Sequence, residues 1–298
     1  MTTTKVNALK AIKWFKSFLF VVPALTFYII FMVIPIFGTI RISFHEWNGA
    51  APKMTFVGLQ NYIRVFSDPI FYKAIGHNLF WIIFTIVVPV LLGLILAILI
   101  MQSFVRMRIL FRVTYFMPTL VSLVAVGVVW GWMYNPDFGI IGRVVDFFKV
   151  FGASNIDWLG NEKIVLWSLV VAGSWTYYGF CMVIFMAALQ GIDACYIEVA
   201  VIEGANPWQK FIYVIVPLLK GTITLLVLNS LIGSFKVFDI IMIMTKGGPY
   251  HSSEVISTYM FSAAFSLNEY GYGAALAIVL AVIIGISSSI YMRFAEKD

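Results

Sequence analysis

The chain has 298 residues, 61% of them hydrophobic and 11% charged, with a mean hydropathy of +0.95. A soluble domain of that composition could not cover its surface with polar groups, so an integral membrane protein is expected. The net charge of +6 comes from basic residues spread over loops, which is ordinary membrane-topology charge and excludes a nucleic-acid surface.

Uncharged runs at 17–40, 74–105, 113–136, 164–192 and 270–292 each exceed the roughly 20 residues a helix needs to cross the hydrocarbon core. They predict five spans. A sixth is expected from Pro217 to about Ile240, with Lys220 and the Lys236/Asp239 pair near its ends as snorkelling residues. The alternating pattern of a membrane barrel is absent, so the fold class is all-α, a polytopic bundle of six transmembrane helices.

Lys5, Lys10, Lys13 and Lys16 precede the first span, and Arg106, Arg108 and Arg112 crowd the joint after the second, which predicts both segments in the cytoplasm. Both termini are then inside. The total of basic residues is nearly balanced between the two sides, so these short dense clusters carry the orientation. The first apolar run is longer than a signal core and contains Pro23 and Pro35, and it reads as an uncleaved first helix. The two cysteines, Cys181 inside the fourth span and Cys195 beyond its end, would lie about 20 Å apart along a helix and cannot pair.

Catalytic chemistry is missing from the pattern. His45-Glu46 has no second His one turn on, so zinc-protease spacing fails, and His77 reads as a hydrogen-bonded helix-end residue. No G-x-S-x-G elbow and no Gly-Lys dipeptide occur, so a nucleophile elbow and a phosphate-binding loop are both absent. Uphill movement of a solute would need energy from another subunit.

Between the fourth and fifth runs lies EVAVIEGANPWQKFIYVIVP, residues 198–217, in a segment that the orientation puts in the cytoplasm. Asp193 can cap a short helix from Ala194, and Gly204 suits its left-handed end. Asn206, Pro207 and Gln209 have the spacing of a capping box with proline at the first helical position. Ile197, Ala200, Val201 and the edge of Gly204 share a face at helical spacing, away from Glu198 and Glu203. Such a face either packs on its own bundle or docks in the groove of a soluble partner.

This segment resembles the EAA loop of binding-protein-dependent ABC importer permeases. That pattern is Glu-Ala-Ala, three residues, Gly, nine residues, then Ile-x-Leu-Pro. Glu198, Ala200, Gly204 and Pro217 match at that spacing, with Val199, Val214 and Val216 as apolar replacements and Glu203 where Asp is frequent. FVGLQNYIRVFSDPIF at 56–71, FDIIMIMTKGGPYHSSE at 238–254 and GYGAALA at 271–277 are similar to the carbohydrate branch, in the maltose-type larger permease partner.

The resemblance implies one permease domain over 1–298, with its core at 77–292 and a coupling loop at 190–212, in the bacterial cytoplasmic (inner) membrane. It implies a second homologous permease, an extracytoplasmic solute-binding protein, and two cytoplasmic ATPases that bind the ATP and Mg. This chain itself would hold no cofactor or metal and would not be an enzyme. The coupling helix would sit in an ATPase cleft and pass its motion to the membrane helices.

Costly polar residues inside the membrane mark candidate pathway positions. The fourth span carries GSWTYYGFC at 173–181, and the fifth carries Asn229, Ser230 and Ser234. By resemblance to the maltose-type permeases, Thr176, Tyr177, Phe180, Ser230 and Ser234 are expected to touch a small carbohydrate, whose C–H faces and hydroxyl rim suit aromatic and hydroxyl side chains. The same residues could instead be packing aromatics and serines bonded to the preceding turn. Gly127-x-x-x-Gly131 is expected to serve helix packing, and Lys236 to pair with Asp239. Rival readings are a polyol or glycerol phosphate cargo, a membrane-embedded enzyme, and a self-contained channel or carrier.

Overall fold

The computed structural model describes residues 18–102, 105–147 and 156–297. The basic cluster from Lys5 to Lys16 lies outside them. Two compact units form, one from Met1–Val65 with Ala263–Ile278 and one from Phe66–Ser262 with Val279–Asp298.

In the first unit, helix α1 (Phe18–Ser43) is long and apolar enough to cross a membrane, and no residue of it before Ser43 is buried. Its backbone bonds are internal, which is what lipid demands. A widened π-turn at Ile29–Val33 ends with the Ile34 N–H bonded to the Ile29 carbonyl, just ahead of Pro35. Proline has no N–H and its ring crowds the carbonyl four residues back, so the turn opens there. A two-stranded hairpin follows, β1 (His45–Glu46) against β2 (Thr55–Phe56), and then α2 (Gln60–Ser67). Arg64 reaches Glu269 at 2.7 Å and lies over the Tyr272 ring at 4.1 Å.

The second unit is built around α3 (Pro69–Met101) and α7 (Val165–Gln190), the latter preceded by the short α6 (Ile140–Phe147). They cross at Gly93, where an added Cβ would stand 2.6 Å from Cys181 Cβ and 2.8 Å from the Met182 nitrogen. Only a glycine allows that approach. Leu94, Ala97, Met182, Phe185 and Leu226 form one core cluster there, and Trp81, Val126, Leu169, Ile240 and Val255 form another. Gly127 meets Ile243 across the contact of α5 (Leu123–Met133) with α11 (Asp239–Met244), as its packing role requires, whereas Gly131 faces open space.

The expected third span, 113–136, is not one helix. It divides into α4 (Arg108–Phe116) with a 3-10 turn at Met117–Leu120, and α5, bent by 96° at the break. Pro118, which cannot donate to the helical ladder, sits in the 3-10 turn, and the chain bends where Val121 and Ser122 are extended. The span expected from Pro217 to about Ile240 forms: α10 (Lys220–Phe235) leads through a short break into α11, and Lys220–Met244 is long and apolar enough to cross a membrane. That break separates Lys236 from Asp239. Both are exposed, and no ion pair joins them among the described residues, because residues three apart are neighbours only on an unbroken helix.

The FDIIMIMTKGGPYHSSE segment wraps a buried carboxylate. Glu254 accepts from Thr258 Oγ1 at 2.7 Å and lies 2.9 Å from His251 Nδ1, while Gly247, at φ +85°, packs where a Cβ would strike it. His77 reaches the Glu254 backbone oxygen at 2.6 Å, so it is a hydrogen-bonded helix residue as expected.

Candidate translocation cleft and coupling joint

A cleft of about 200 Å³ opens between α3, α5, α7 and α10. Thr176, Tyr177, Ser230 and Ser234, expected from sequence to share a site, all line it. Phe180 does not. It lies one turn along α7, stacked on Tyr177 at 5.8 Å and packed against the core cluster of Leu94, Met182 and Phe185.

The polar groups of the cleft are joined in two hydroxyl chains. Ser230 Oγ donates to Tyr177 Oη at 3.2 Å, and Tyr177 donates to the Leu226 carbonyl at 3.3 Å. Thr85 Oγ1 donates to the Trp81 carbonyl at 2.7 Å and lies 2.8 Å from Ser234 Oγ. With its one proton on Trp81, Thr85 accepts from Ser234. The two serines therefore bond across helices instead of to their own preceding turn. Thr176 does the opposite, donating to Gly173 at 2.8 Å.

Sequence reasoning missed the α3 and α5 side of this site. Trp81 and Thr85 line it from α3, and Leu123 lines it from the helix break. The break is tied to α7, because Thr119 Oγ1 donates to the Thr176 carbonyl at 2.8 Å and Gly179 lets the Tyr115 carbonyl close in. Non-helical backbone at membrane depth is tolerable where it borders a cavity, and Leu123, directly after the break, lines this one. Asn78, fully buried, fixes the end of α10. It donates to the Ser234 carbonyl at 2.8 Å and accepts from the Ile256 N–H at 3.1 Å.

The joint at 193–217 forms as its local chemistry requires. The Asp193 carboxylate caps α8 (Ala194–Ile202) through the Cys195 N–H at 2.9 Å. At the other end Gly204 has φ +78°, its N–H bonds to the Val201 carbonyl and the Ala205 N–H bonds to the Ala200 carbonyl. This is a complete Schellman closure. Asn206 and Gln209 then bond reciprocally at 2.8 and 2.9 Å, with Pro207 opening α9 (Pro207–Lys210). A second π-turn, Phe211–Ile215, precedes Pro217 as the first precedes Pro35, and Pro217 is exposed.

The faces of α8 differ from expectation. Ala200 is buried and Ile197 half-buried, so that part of the expected docking face turns toward the chain itself. Tyr196, Val199, Val201 and Ile202 are the outward apolar side chains, with Ile202 83% exposed, and Glu198 is exposed beside them. Because α8 is apolar almost all round, its pattern alone could not select the buried side.

Membrane-length helices folded around an uncharged polar cleft, with a broken helix at its wall, define a membrane transport component. Residues 89–297 match the family described as the binding-protein-dependent transport system inner membrane component, and the chain belongs to that family. It is 33% identical over 280 residues to the probable ABC transporter permease protein YurN of Bacillus subtilis (strain 168), covering 93% of this chain and 94% of that one. It is 31% identical over 276 residues to the arabinooligosaccharides transport system permease protein AraP of Halalkalibacterium halodurans, covering 91% and 86%. In the crystal structure of a bacterial ABC transporter involved in the import of the acidic polysaccharide alginate, one chain shares the fold with a TM-score of 0.85 at 20% identity, over 98% of this chain and 99% of that one.

Proposed function

We propose that this permease forms half of the pathway through which an ATP-driven importer admits a sugar or oligosaccharide. The observation that carries the proposal is the meeting of Thr176, Tyr177, Ser230 and Ser234 on one cleft whose lining contains no charged residue. Hydroxyls, an amide at Asn229 and the rings of Trp81 and Tyr177 are the groups a neutral sugar uses. At about 200 Å³ the cleft is smaller than the roughly 300–1,000 Å³ of complete small-molecule sites, which suits one wall of a site closed by a second, homologous permease. A polyol fits the same lining. A glycerol phosphate fits it poorly, because among the described residues no cation borders the cleft to meet its charge.

The exposed apolar residues of α8 dock into one of two cytoplasmic ATPases, which bind the ATP and Mg, and both termini lie in the cytoplasm. Glu198, Gly204 and Pro217 serve this joint, with Ala200 anchoring the helix from within. A solute-binding protein delivers the cargo from the other side.

The test is uptake by the assembled importer with Tyr177→Phe and Asn229→Leu. Each substitution removes polar contact while keeping bulk, so the KM for sugar rises about five- to tenfold, in line with ~1–1.5 kcal/mol per lost hydrogen bond. Subunit assembly stays intact. Unchanged uptake kinetics in both variants would take the cleft out of the pathway.

A further inference from the structure

A second, larger hollow of about 620 Å³ lies where the membrane helices end, bordered by the last turns of α3 and α7, by α8, and by the turns that follow Pro207. Its walls are apolar, formed by side chains such as Leu99, Leu189, Ile197 and Phe211. Among the described residues its polar lining is Gln102 and Lys210, with no carboxylate. Lys210 makes no ion pair among the described residues. Arg108, outside the lining, donates through its Nη2 to the carbonyl of the lining residue Gln102 at 3.0 Å.

The position of this groove limits what can fill it. Met101 and Gln190 end membrane-length helices, so the groove sits at the depth where hydrocarbon gives way to headgroups. Leu99 and Ile95 on its wall are half exposed, and Trp208, 69% exposed, is a residue type favoured at that boundary. An apolar trough with one cation and no acid among its described lining residues matches one class of molecule present there at high concentration. We infer that the groove takes an acyl chain of an anionic phospholipid, with the phosphate held against the Lys210 ammonium. Because Ile197 of α8 forms part of the wall, the lipid packs beneath the joint itself, and this holds whatever solute the permease carries.

The full-length chain, with the subunits that co-purify, is placed in bilayer nanodiscs containing trace phosphatidylglycerol or phosphatidylcholine that bears a photoreactive diazirine on one acyl chain. Crosslinks at peptides carrying Leu189, Ile197 and Phe211 are measured against those at the exposed Ile83. Phosphatidylglycerol is expected to label the groove in excess over phosphatidylcholine. Lys210→Gln should lower that labelling about fivefold without changing the phosphatidylcholine signal, as expected for one basic residue at a membrane surface. Leu189→Trp, which fills the trough, should abolish groove labelling by both lipids. If that variant fails to accumulate, the Lys210 result decides alone. Equal labelling by the two lipids, indifference to Lys210→Gln, or no groove labelling because a protein subunit covers it would each overturn the inference.

Discussion

In the cleft, hydroxyl and amide groups lie at membrane depth where apolar side chains are the rule, and in the joint apolar side chains face outward from a segment beyond the helix ends. The two regions handle this inversion differently. Cleft hydroxyls are linked to one another through Tyr177–Ser230 and Thr85–Ser234, which satisfies costly polar groups while leaving acceptor lone pairs toward the hollow. The joint closes every backbone end of α8 with Asp193 and Gly204, yet leaves Tyr196, Val199 and Ile202 uncovered. The joint is bonded at both ends and leaves apolar side chains uncovered, whereas in the cleft the buried Trp81 indole N–H has no partner among the described residues. Under the proposed function, those are the groups that meet the solute and the ATPase.

Substitutions can break this contrast from three sides. The largest effect is expected at the crossing that supports the cleft. Gly93→Leu puts a side chain where even a Cβ would stand 2.6 Å from Cys181, so the protein should vanish from membranes, measured as abundance by immunoblot. Gly204→Leu serves as its counterpart, because nothing lies within 4 Å of a Cβ there and only the left-handed backbone is violated. Abundance should survive that change while coupled ATP hydrolysis falls about tenfold, given the ~1–2 kcal/mol cost of a side chain in that conformation. Loss of the whole protein with Gly204→Leu would make the joint a structural element like Gly93.

A smaller and cleaner effect is expected at Ile202. Ile202→Ser removes an uncovered side chain whose burial in a partner is worth roughly 1.5–3 kcal/mol, so retention of the ATPase on co-purification should fall at least tenfold with unfolding temperature unmoved. The smallest effect belongs to Thr85→Val, which leaves the Ser234 hydroxyl without its acceptor. A loss of roughly 1 kcal/mol predicts a several-fold poorer uptake at low solute concentration, and a wild-type rate there would show that the Thr85–Ser234 chain is indifferent to transport.

What could be read from the sequence follows the range of the interactions involved. Asp193, Gly204, Asn206 and Gln209 act within four residues of themselves, and the caps formed as their spacing required. The cleft was half legible. Thr176, Tyr177, Ser230 and Ser234 came from two segments that resemblance had already paired, whereas Trp81, Thr85 and Leu123 reach the site through contacts that no local pattern encodes. The 113–136 run hid its break because hydropathy counts Val121 and Ser122 as two more uncharged residues, although their extended backbone is where the chain bends by 96°. Lys236 and Asp239 were misjudged for a related reason, since their pairing assumed a continuous helix.

The chain has two cysteines, and the fold gives them opposite circumstances: Cys181 is sealed at the crossing with Gly93, while Cys195 is exposed in the first turn of α8. A maleimide-linked spin label or fluorophore added to the unaltered protein therefore goes to one address, at the root of the joint. Tumbling of that label would slow when α8 is gripped and quicken when it is released, so the native sequence already carries its own reporter of engagement, with no cysteine to remove and none to add.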